Sequence, residues 1–371
     1  MGQSVAPMRH ELFIVAPRRA GIAQIRLWRS RSGALWAAVC AIVLVALAVQ
    51  PDTSWAAVKR VRVDLAGGGP VSCPSTDQCT LVDEWGRAVT FNPLTFKRTN
   101  VFTIDSDASE PPSEDWSFLG LACPSTTQCT AVDSGGRAVT FNPLVVSQPP
   151  AVRIGPTNTR VRGFYGLACP TTTQCTAVDH LGMQVTFDPA TPEAVHVVSI
   201  ASADYVASGF ACPSVSHCVT MTDGASQNVT VFDPTASVRP TPFNMTRQGD
   251  WGYQSAVACP AVTQCTVVND SVSLMITFDP TALRRSRPRS ISHNLNGSLH
   301  IRCPDISRCV VMDLYGRVVT VNPKTFKHSK TRVLISSRDR SYLFVQLACP
   351  SPERCFAVDV NGWAYPFVPH I

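Results

Sequence analysis

The stretch CPSTTQCTAVDSGGRAVTFNP, from Cys123 to Pro143, is one copy of a unit that recurs through most of the chain. Six further copies begin at Cys73, Cys169, Cys212, Cys259, Cys303 and Cys349. The first cysteines of successive copies lie 50, 46, 43, 47, 44 and 46 residues apart. A period of this length is typical of a four-stranded β-propeller blade rather than of a helical repeat.

Each copy contains up to four segments with the composition of β-strands, and we name these positions A to D. In the second copy A is SFLGLAC at 117–123, B is CTAVD at 129–133, C is RAVTF at 137–141 and D is AVRIG at 151–155. Apolar and β-branched residues fill these runs, and turn-forming residues separate them. The sequence therefore predicts an all-β, seven-bladed β-propeller.

The two ends of the repeat region complement each other. The seventh copy stops after its third strand, at Ile371, while RVRVDL at Arg60 to Leu65 precedes the first copy and resembles an isolated D strand. Pairing this segment with Trp363 to Phe367 would complete the last blade and leave no open sheet edge. We therefore predict a propeller domain over 58–371, closed into a ring by its N-terminal strand.

Fourteen of the 15 cysteines form C-x5-C pairs, one pair in each unit. A turn between strands A and B would place both cysteines of a pair opposite each other on one hairpin, where a disulfide can form. A tetrahedral metal site would need thiolates from a second blade, and an exported chain meets oxidising conditions. We predict seven disulfides and no metal: Cys73–Cys79, Cys123–Cys129, Cys169–Cys175, Cys212–Cys218, Cys259–Cys265, Cys303–Cys309 and Cys349–Cys355.

The segment GLACPSTTQCTAVDSGGRAVTFNP, from Gly120 to Pro143, resembles the repeats of NHL-like and virginiamycin B lyase-like propellers. The resemblance extends over residues 58–371 at the level of the repeat. It departs from those repeats by placing a cysteine in each of the first two strands. Because that superfamily includes lyases, lactonases and binding modules, the resemblance implies the fold and not an activity.

The N-terminal region carries an export signal. Residues 33–50 contain an uncharged apolar core, and residues 1–32 are Arg-rich, which predicts a cytoplasmic N-terminus and export of everything after the core. Ser54, Trp55 and Ala56 suit cleavage of a signal peptide, whereas the long N-terminal region suits a retained transmembrane signal anchor. Both alternatives place the propeller outside the cell membrane.

The net charge of the chain does not indicate that the protein binds nucleic acid. The net charge is +6, of which the first 56 residues contribute +4 through six arginines, Glu11 and Asp52. A remaining charge of +2 is too weak to indicate nucleic acid as the main partner. We expect a monomer without nucleic acid, membrane-attached only if the N-terminal helix is uncleaved.

An acidic residue stands at the B–C turn of nearly every unit: Asp83, Asp133, Asp179, Asp223, Asp313 and Asp359, with Asn269-Asp270 in the fifth. A ring of carboxylates could bind calcium or act in catalysis. In five units, however, a glycine follows three residues later, as a type I turn with a left-handed glycine requires. We therefore interpret these acids as turn formers.

The connections from strand D to the next strand A repeat an acid beside an aromatic residue: Asp115-Trp116, Asp204-Tyr205 and Asp250-Trp251. Tyr342 lies in an equivalent stretch, as do Phe164, Tyr165 and Tyr253. In a propeller these connections share one face with the B–C turns. Aromatic rings beside carboxylates can hold sugars, although such aromatics can also pack between blades. The seven residues of the three pairs and Tyr342 are our predicted ligand site.

Basic residues concentrate in the C–D loops on the opposite face: Lys97, Arg98, Arg284, Arg285, Arg287, Lys324, Lys327 and Lys330. With a retained N-terminal helix, this face would lie against the membrane and meet anionic headgroups. A solvated charged rim is the alternative interpretation.

The sequence contains no nucleophile elbow, phosphate-binding glycine loop or zinc-hydrolase helix, and its histidines occupy unrelated positions. We predict no cofactor and no catalytic residue. The leading hypothesis is a non-enzymatic extracytoplasmic propeller that binds a carbohydrate or a protein through the face of Trp116, Tyr205 and Trp251. The alternative is a propeller-type lyase or hydrolase with Asp115, Asp204 and Asp250 at the channel mouth.

Overall fold

The structure is a computed structural model. It describes residues 60–64, 67–83, 85–105, 117–155, 163–200, 207–222, 228–245, 255–269, 273–292, 294–295, 297–335 and 343–371. The predicted cytoplasmic region 1–32 and export segment 33–50 lie outside these ranges. Within the described part of the chain, no helix has the length and apolarity needed to span a membrane.

Every regular element of the described chain is a β-strand, and the strands form seven antiparallel sheets. The chain begins with β1 (Val61–Arg62). Blades one to three comprise β2 (Val71–Ser72), β3 (Cys79–Val82), β4 (Arg87–Phe91) and β5 (Arg98–Thr103); β6 (Phe118–Ser125), β7 (Gln128–Asp133), β8 (Arg137–Phe141) and β9 (Val152–Arg153); and β10 (Phe164–Thr171), β11 (Gln174–Asp179), β12 (Met183–Phe187) and β13 (Val195–Ser199).

Blades four to seven comprise β14 (Ala207–Ser214), β15 (His217–Thr222), β16 (Asn228–Phe232) and β17 (Phe243–Asn244); β18 (Ser255–Ala261), β19 (Gln264–Asn269), β20 (Leu274–Asp279), β21 (Arg284–Arg285) and β22 (Arg289–Ser290); β23 (Leu299–Asp305), β24 (Arg308–Asp313), β25 (Arg317–Val321) and β26 (Arg332–Val333); and β27 (Phe344–Ser351), β28 (Arg354–Asp359) and β29 (Trp363–Phe367). In blade five both β21 and β22 pair with β20.

The predicted ring closure is confirmed. Strand β1 pairs antiparallel with β29, in the register Val61 with Ala364 and Arg62 with Trp363, so the last sheet has the order β1-β29-β28-β27. The Val63 amide then donates to the carbonyl of Gly362 at 3.0 Å. Blade seven therefore combines strands from both ends of the propeller, and β29 has no open edge over this register.

The buried side chains of the described residues form seven clusters, one at each boundary between neighbouring blades. At the closing boundary, Val89 and Phe91 of blade one pack with Phe356 and Val358 of blade seven. The inner strands also pack against one another in cyclic order. Each blade thus buries both sheet faces against its neighbours, and strands B and C are therefore buried at almost every position.

The seven predicted disulfides are present, with Cα–Cα distances of 4.0 to 4.1 Å. In blade two, Cys123 and Cys129 continue the register set by Ala122 with Thr130. The prediction that the cysteines stand opposite each other is therefore correct. The turn is shorter than the five residues between them, because Pro124 forms a bulge and pairing resumes at Ser125 with Gln128. A bulge accommodates proline because no ladder amide is needed there.

Candidate functional site

We call the end of the propeller with the B–C turns and the D–A connections the B–C face. Its turns are built around the repeated aspartate. Asp133 Oδ1 accepts hydrogen bonds from the amides of Gly135 (2.9 Å) and Arg137 (2.8 Å), and Gly136 has a φ of 80°. The same amide bonds form at Asp83, Asp179, Asp313 and Asp359. These five carboxylates act as turn formers, as predicted, while Asp223 and Asp270 lie outside the described residues.

The arginine after the turn glycine was not singled out in the sequence, although GR recurs in the units. Arg137 Nε donates to Asp133 at 2.7 Å, and its Nη2 lies 2.6 Å from Asp105, which follows the D strand of blade one. Arg87 likewise contacts Asp83 (2.7 Å) and Asp64 (3.0 Å). These arginines join neighbouring blades and neutralise carboxylates whose side chains are almost fully buried.

Burial raises the pKa of Asp83 to about 6, and the charge of Asp64 acts in the same direction, while hydrogen bonds from Arg87 oppose the rise. An elevated carboxyl pKa is often a sign of general acid–base chemistry. Here the geometry gives a structural cause, because the carboxylate oxygens already accept the turn amides and the Arg87 guanidinium. In the described part of the chain, moreover, no three His, Cys, Asp or Glu side chains are placed to hold a metal ion.

The predicted ligand residues Asp115, Trp116, Asp204, Tyr205, Asp250, Trp251 and Tyr342 lie outside the described residues. Their role stays a prediction, as does the enzyme alternative that depends on three of these acids. Two other aromatics from equivalent stretches are described. Phe164 is fully buried between blades. The hydroxyl groups of Tyr165 and of Thr220 in blade four form a hydrogen bond of 2.9 Å. Both therefore pack between blades.

The described residues of the B–C face expose large apolar side chains, namely Leu119, Leu181, Tyr315, Leu343 and Val360. Three of them, Tyr315, Leu343 and Val360, belong to backbone segments that hydrogen bonds join at the boundary of blades six and seven. The Val360 amide donates to the carbonyl of Leu343 at 2.9 Å. The amide of Phe344, the residue after Leu343, donates to the carbonyl of Leu314, the residue before Tyr315, at 2.9 Å. We call Tyr315, Leu343 and Val360 the Tyr315 patch.

The side chains of the Tyr315 patch are 47%, 43% and 40% exposed. Arg317 lies 5.4 Å from the centroid of the Tyr315 ring and also pairs with Asp313, so the tyrosine stands beside an oriented cation. Tyr342, one of the predicted ligand residues, immediately precedes Leu343 in the chain. The patch is thus an apolar surface next to a predicted site residue.

The opposite end carries the A–B turns and C–D loops, and we call it the disulfide face. The glutamine before the second cysteine forms a link between blades there. Gln128 Nε2 donates to the carbonyl of Thr172 in the next blade at 2.7 Å. Gln78, Gln174 and Gln264 make the same link to Thr126, Val215 and Ile306, and Arg308 makes it to Pro352. The recurring QC dipeptide was the sequence signal for this link, and sequence reasoning missed it.

Blade four departs from this pattern. Its residue at that position, His217, hydrogen-bonds through Nδ1 to the hydroxyls of Ser214 (3.3 Å) and Ser216 (3.0 Å) in its own turn.

The predicted basic residues of the C–D loops are exposed, including Arg284, Arg285 and Arg287. The pKa of Asp279, which lies beside these arginines, is lowered mainly because the Thr281 hydroxyl donates to its carboxylate. The charge of Arg284 acts in the same direction. Their contact with anionic headgroups remains a prediction.

No protein-family model and no curated protein match the chain. Solved structures do resemble it. One, "YCF48 bound to D1 peptide", has a TM-score of 0.61 at 10% identity, over 84% of this chain and 97% of that chain. Another, "Crystal structure of WD40 beta propeller domain of Doa1", has a TM-score of 0.62 at 8% identity, over 84% and 96%. At these identities the likeness extends to the fold: the chain is a seven-bladed β-propeller that resembles the YCF48 and WD40 propellers.

Proposed function

We propose that this chain is a non-catalytic, extracytoplasmic binding propeller that holds a segment of a partner protein on its B–C face. The observation that carries the proposal is the Tyr315 patch, in which three large apolar side chains stay exposed although the blades bury most others. Contiguous exposed apolar surface on a soluble protein marks an interaction site more often than scattered single residues do.

The composition of the patch supports a protein ligand. Leu343 and Val360 are aliphatic and offer no flat ring, whereas sugars are usually held by stacking on aromatic faces. The buried centre of protein interfaces is apolar and enriched in tyrosine and arginine, and Tyr315 with the neighbouring Arg317 provides both. The peptide in the YCF48 structure supports the same class of ligand for a propeller of this fold. A carbohydrate ligand, which the sequence also suggested, is the competing outcome of the test.

The predicted site residues would extend this surface. Trp116, Tyr205 and Trp251 belong to D–A connections, which lie at the same end of the blades as the B–C turns. A segment bound to the Tyr315 patch would then also contact aromatic residues around the channel mouth. This part of the proposal rests on the sequence.

The seven disulfides indicate an oxidising, extracytoplasmic environment. They cross-link the A–B hairpin of every blade. Rigid blades support binding because little conformational entropy is lost when a partner docks.

The test uses the full chain to select peptides from a random displayed library, and measures binding of the selected peptides by fluorescence anisotropy. Tyr315→Ser and Leu343→Ser should each weaken binding by at least tenfold, which is about 1.4 kcal/mol. Val145→Ser is the matched control, because Val145 is 54% exposed on the opposite face, and it should bind as the wild type does.

A glycan array with the wild type and with Trp116→Ala, Tyr205→Ala and Trp251→Ala provides the contrary outcome. Binding to glycans that is lost on changing Trp116, Tyr205 and Trp251, with no peptide selected, would overturn the protein-ligand proposal. Selected peptides that bind the Tyr315 and Leu343 variants as tightly as the wild type would remove the patch from the site.

A further inference from the structure

The inner strands β2, β6, β10, β14, β18, β23 and β27 pack in a ring and form the wall of the central channel. Their side chains are almost all small or apolar. Across all seven strands, His300, Arg302 and Asp305 are the only His, Lys, Arg, Asp or Glu residues, and all three belong to β23 in blade six. Asp305 lies in the A–B turn, where its Oδ1 accepts from the amide and hydroxyl of Ser307.

The positions of Arg302 and His300 hold small residues in most other blades. The residue before the first cysteine is alanine in five blades, serine in blade one and Arg302 in blade six: Ser72, Ala122, Ala168, Ala211, Ala258, Arg302 and Ala348. Two residues earlier, four blades have glycine or alanine: Gly120, Gly166, Gly209 and Ala256. An added Cβ at Gly120 would come within 2.8 Å of Leu167 of the next blade. Blade six alone places two long polar side chains in this crowded ring.

Arg302 lies at the inner edge of its strand. Nη1 of Arg302 donates to the carbonyl of Ile301 at 2.9 Å. In blade two, the backbone amide of Cys123 donates to Ser72 Oγ of the inner strand of blade one at 3.0 Å. Backbone groups in this part of strand A therefore point towards the neighbouring inner strand. The guanidinium therefore sits within the ring of inner strands. A guanidinium has five N–H donors, and within the described residues Arg302 makes this one hydrogen bond and no ion pair.

Arg302 is half-buried, and this desolvation lowers its pKa. Arginine still stays protonated at physiological pH. A desolvated cation is costly unless an anion compensates it. The seven inner strands offer no other acid than Asp305, which already accepts the Ser307 donors, so a compensating anion would come from outside the wall.

His300 stands two residues from Arg302 and therefore on the same side of β23. Burial and the charge of Arg302 lower its pKa to about 4, while a hydrogen bond to the Phe344 backbone raises it. The His300 ring is thus neutral at physiological pH, and its N–H donates to the backbone carbonyl of Phe344. Nε2 is buried and has no hydrogen-bond partner among the described residues, so it presents a lone pair beside the guanidinium.

We propose that Arg302 and His300 form a binding site in the central channel for a small oxyanion that carries a hydroxyl group. The guanidinium fork would hold two oxygens of the anion, and His300 Nε2 would accept the hydroxyl proton. Hydrogen phosphate and α-hydroxycarboxylates share this chemistry. The site goes beyond the proposed function, because the Tyr315 patch uses neither residue.

The experiment titrates the full chain at pH 7 by calorimetry with inorganic phosphate, glycolate and sulfate. Phosphate and glycolate carry a hydroxyl, whereas sulfate does not. We expect phosphate or glycolate to bind at least tenfold more tightly than sulfate. Binding by phosphate alone would identify a phosphate site, and binding by glycolate alone a hydroxycarboxylate site.

Two variants test the residues. Arg302→Ala installs the residue found in five blades, so it should fold with an unchanged or higher melting temperature and lose at least tenfold in affinity. His300→Ala should keep sulfate binding and lose the preference for the hydroxyl-bearing anion. Arg285→Ala, an exposed cation of the C–D loops, is the control and should bind like the wild type.

The proposal is overturned if neither phosphate nor glycolate binds, or if the Arg302→Ala protein binds as well as the wild type. It is also overturned if sulfate matches both other anions in the wild type, because His300 would then have no role.

Discussion

Arg137 and Asp105 form an ion pair across the boundary of blades one and two, with Nη2 2.6 Å from Oδ2. The same guanidinium donates through Nε to Asp133 of its own turn. One side chain thus holds a turn in shape and ties it to the neighbouring blade. Stability should depend on such links, because each blade has its hydrophobic core at boundaries that it shares.

Arg137→Met should destabilise the fold by about 3 to 5 kcal/mol, since it leaves the buried carboxylates of Asp133 and Asp105 without their cation. Denaturant-induced unfolding measures this change. Arg153→Met is the control, because Arg153 is exposed on the outer strand of the same blade and should change stability by less than about 0.5 kcal/mol. Equal effects of the two substitutions would contradict the role of Arg137.

Val63→Asp should open the closing blade. Val63 is fully buried between blades one and seven, and a carboxylate there has no cation to pair with in that apolar cluster. We expect a loss of several kcal/mol and association through the freed edge of β29. Size-exclusion chromatography with light scattering detects the association. Val333→Asp, on an outer strand where the valine is 50% exposed, should remain monomeric and stable.

His217→Gln should stabilise the propeller by about 0.5 to 1.5 kcal/mol, by adding one hydrogen bond between blades four and five. Four other blades make this link with glutamine, and Val262 stands at the equivalent acceptor position of blade five. The melting temperature measures the gain. His217→Ala cannot form the bond and should show no rise; a similar rise in both variants would mean that the histidine itself is unfavourable.

His300 should make the fold sensitive to acid. Its pKa of about 4 lies below its ordinary value of 6.5, so between these values the unfolded chain binds a proton that the folded chain does not. The free energy of unfolding therefore falls as pH falls from 6.5 towards 4, and at pH 5 the loss is about 2 kcal/mol.

His300→Gln should remove this part of the acid sensitivity, and Gln346 shows that blade seven accepts glutamine at the same position. Unfolding free energies at pH 7 and pH 5 test it. If the difference between the two pH values is the same in the wild type and the variant, His300 does not titrate as described.

Alkylation without reductant, followed by mass spectrometry, should leave the fourteen paired cysteines unmodified. Reduction before alkylation should make all of them reactive, which serves as the internal control. Free thiols at Cys169 and Cys175, or at any other pair, in the native protein would contradict the disulfides and the extracytoplasmic location drawn from them.

The candidate site was less predictable than the fold. The role of Asp133 followed from its spacing to Gly136, because a turn is formed by neighbouring residues. The Tyr315 patch and the packing of Tyr165 against blade four could not be read in this way, since both depend on which side chains the next blade covers. Exposure is a property of the assembled ring.

The sequence by itself determined the number of blades, the disulfide partners and the strand that closes the ring. Each of these follows from spacing along the chain, such as the five residues between Cys123 and Cys129 or the missing strand after Phe367. Only the tertiary structure decided that Arg137 neutralises an aspartate of another blade and that Arg302 donates to the Ile301 carbonyl at the channel wall. Those relationships join residues of different blades or compare positions around the ring, and a local pattern contains no information about them until packing brings the blades together.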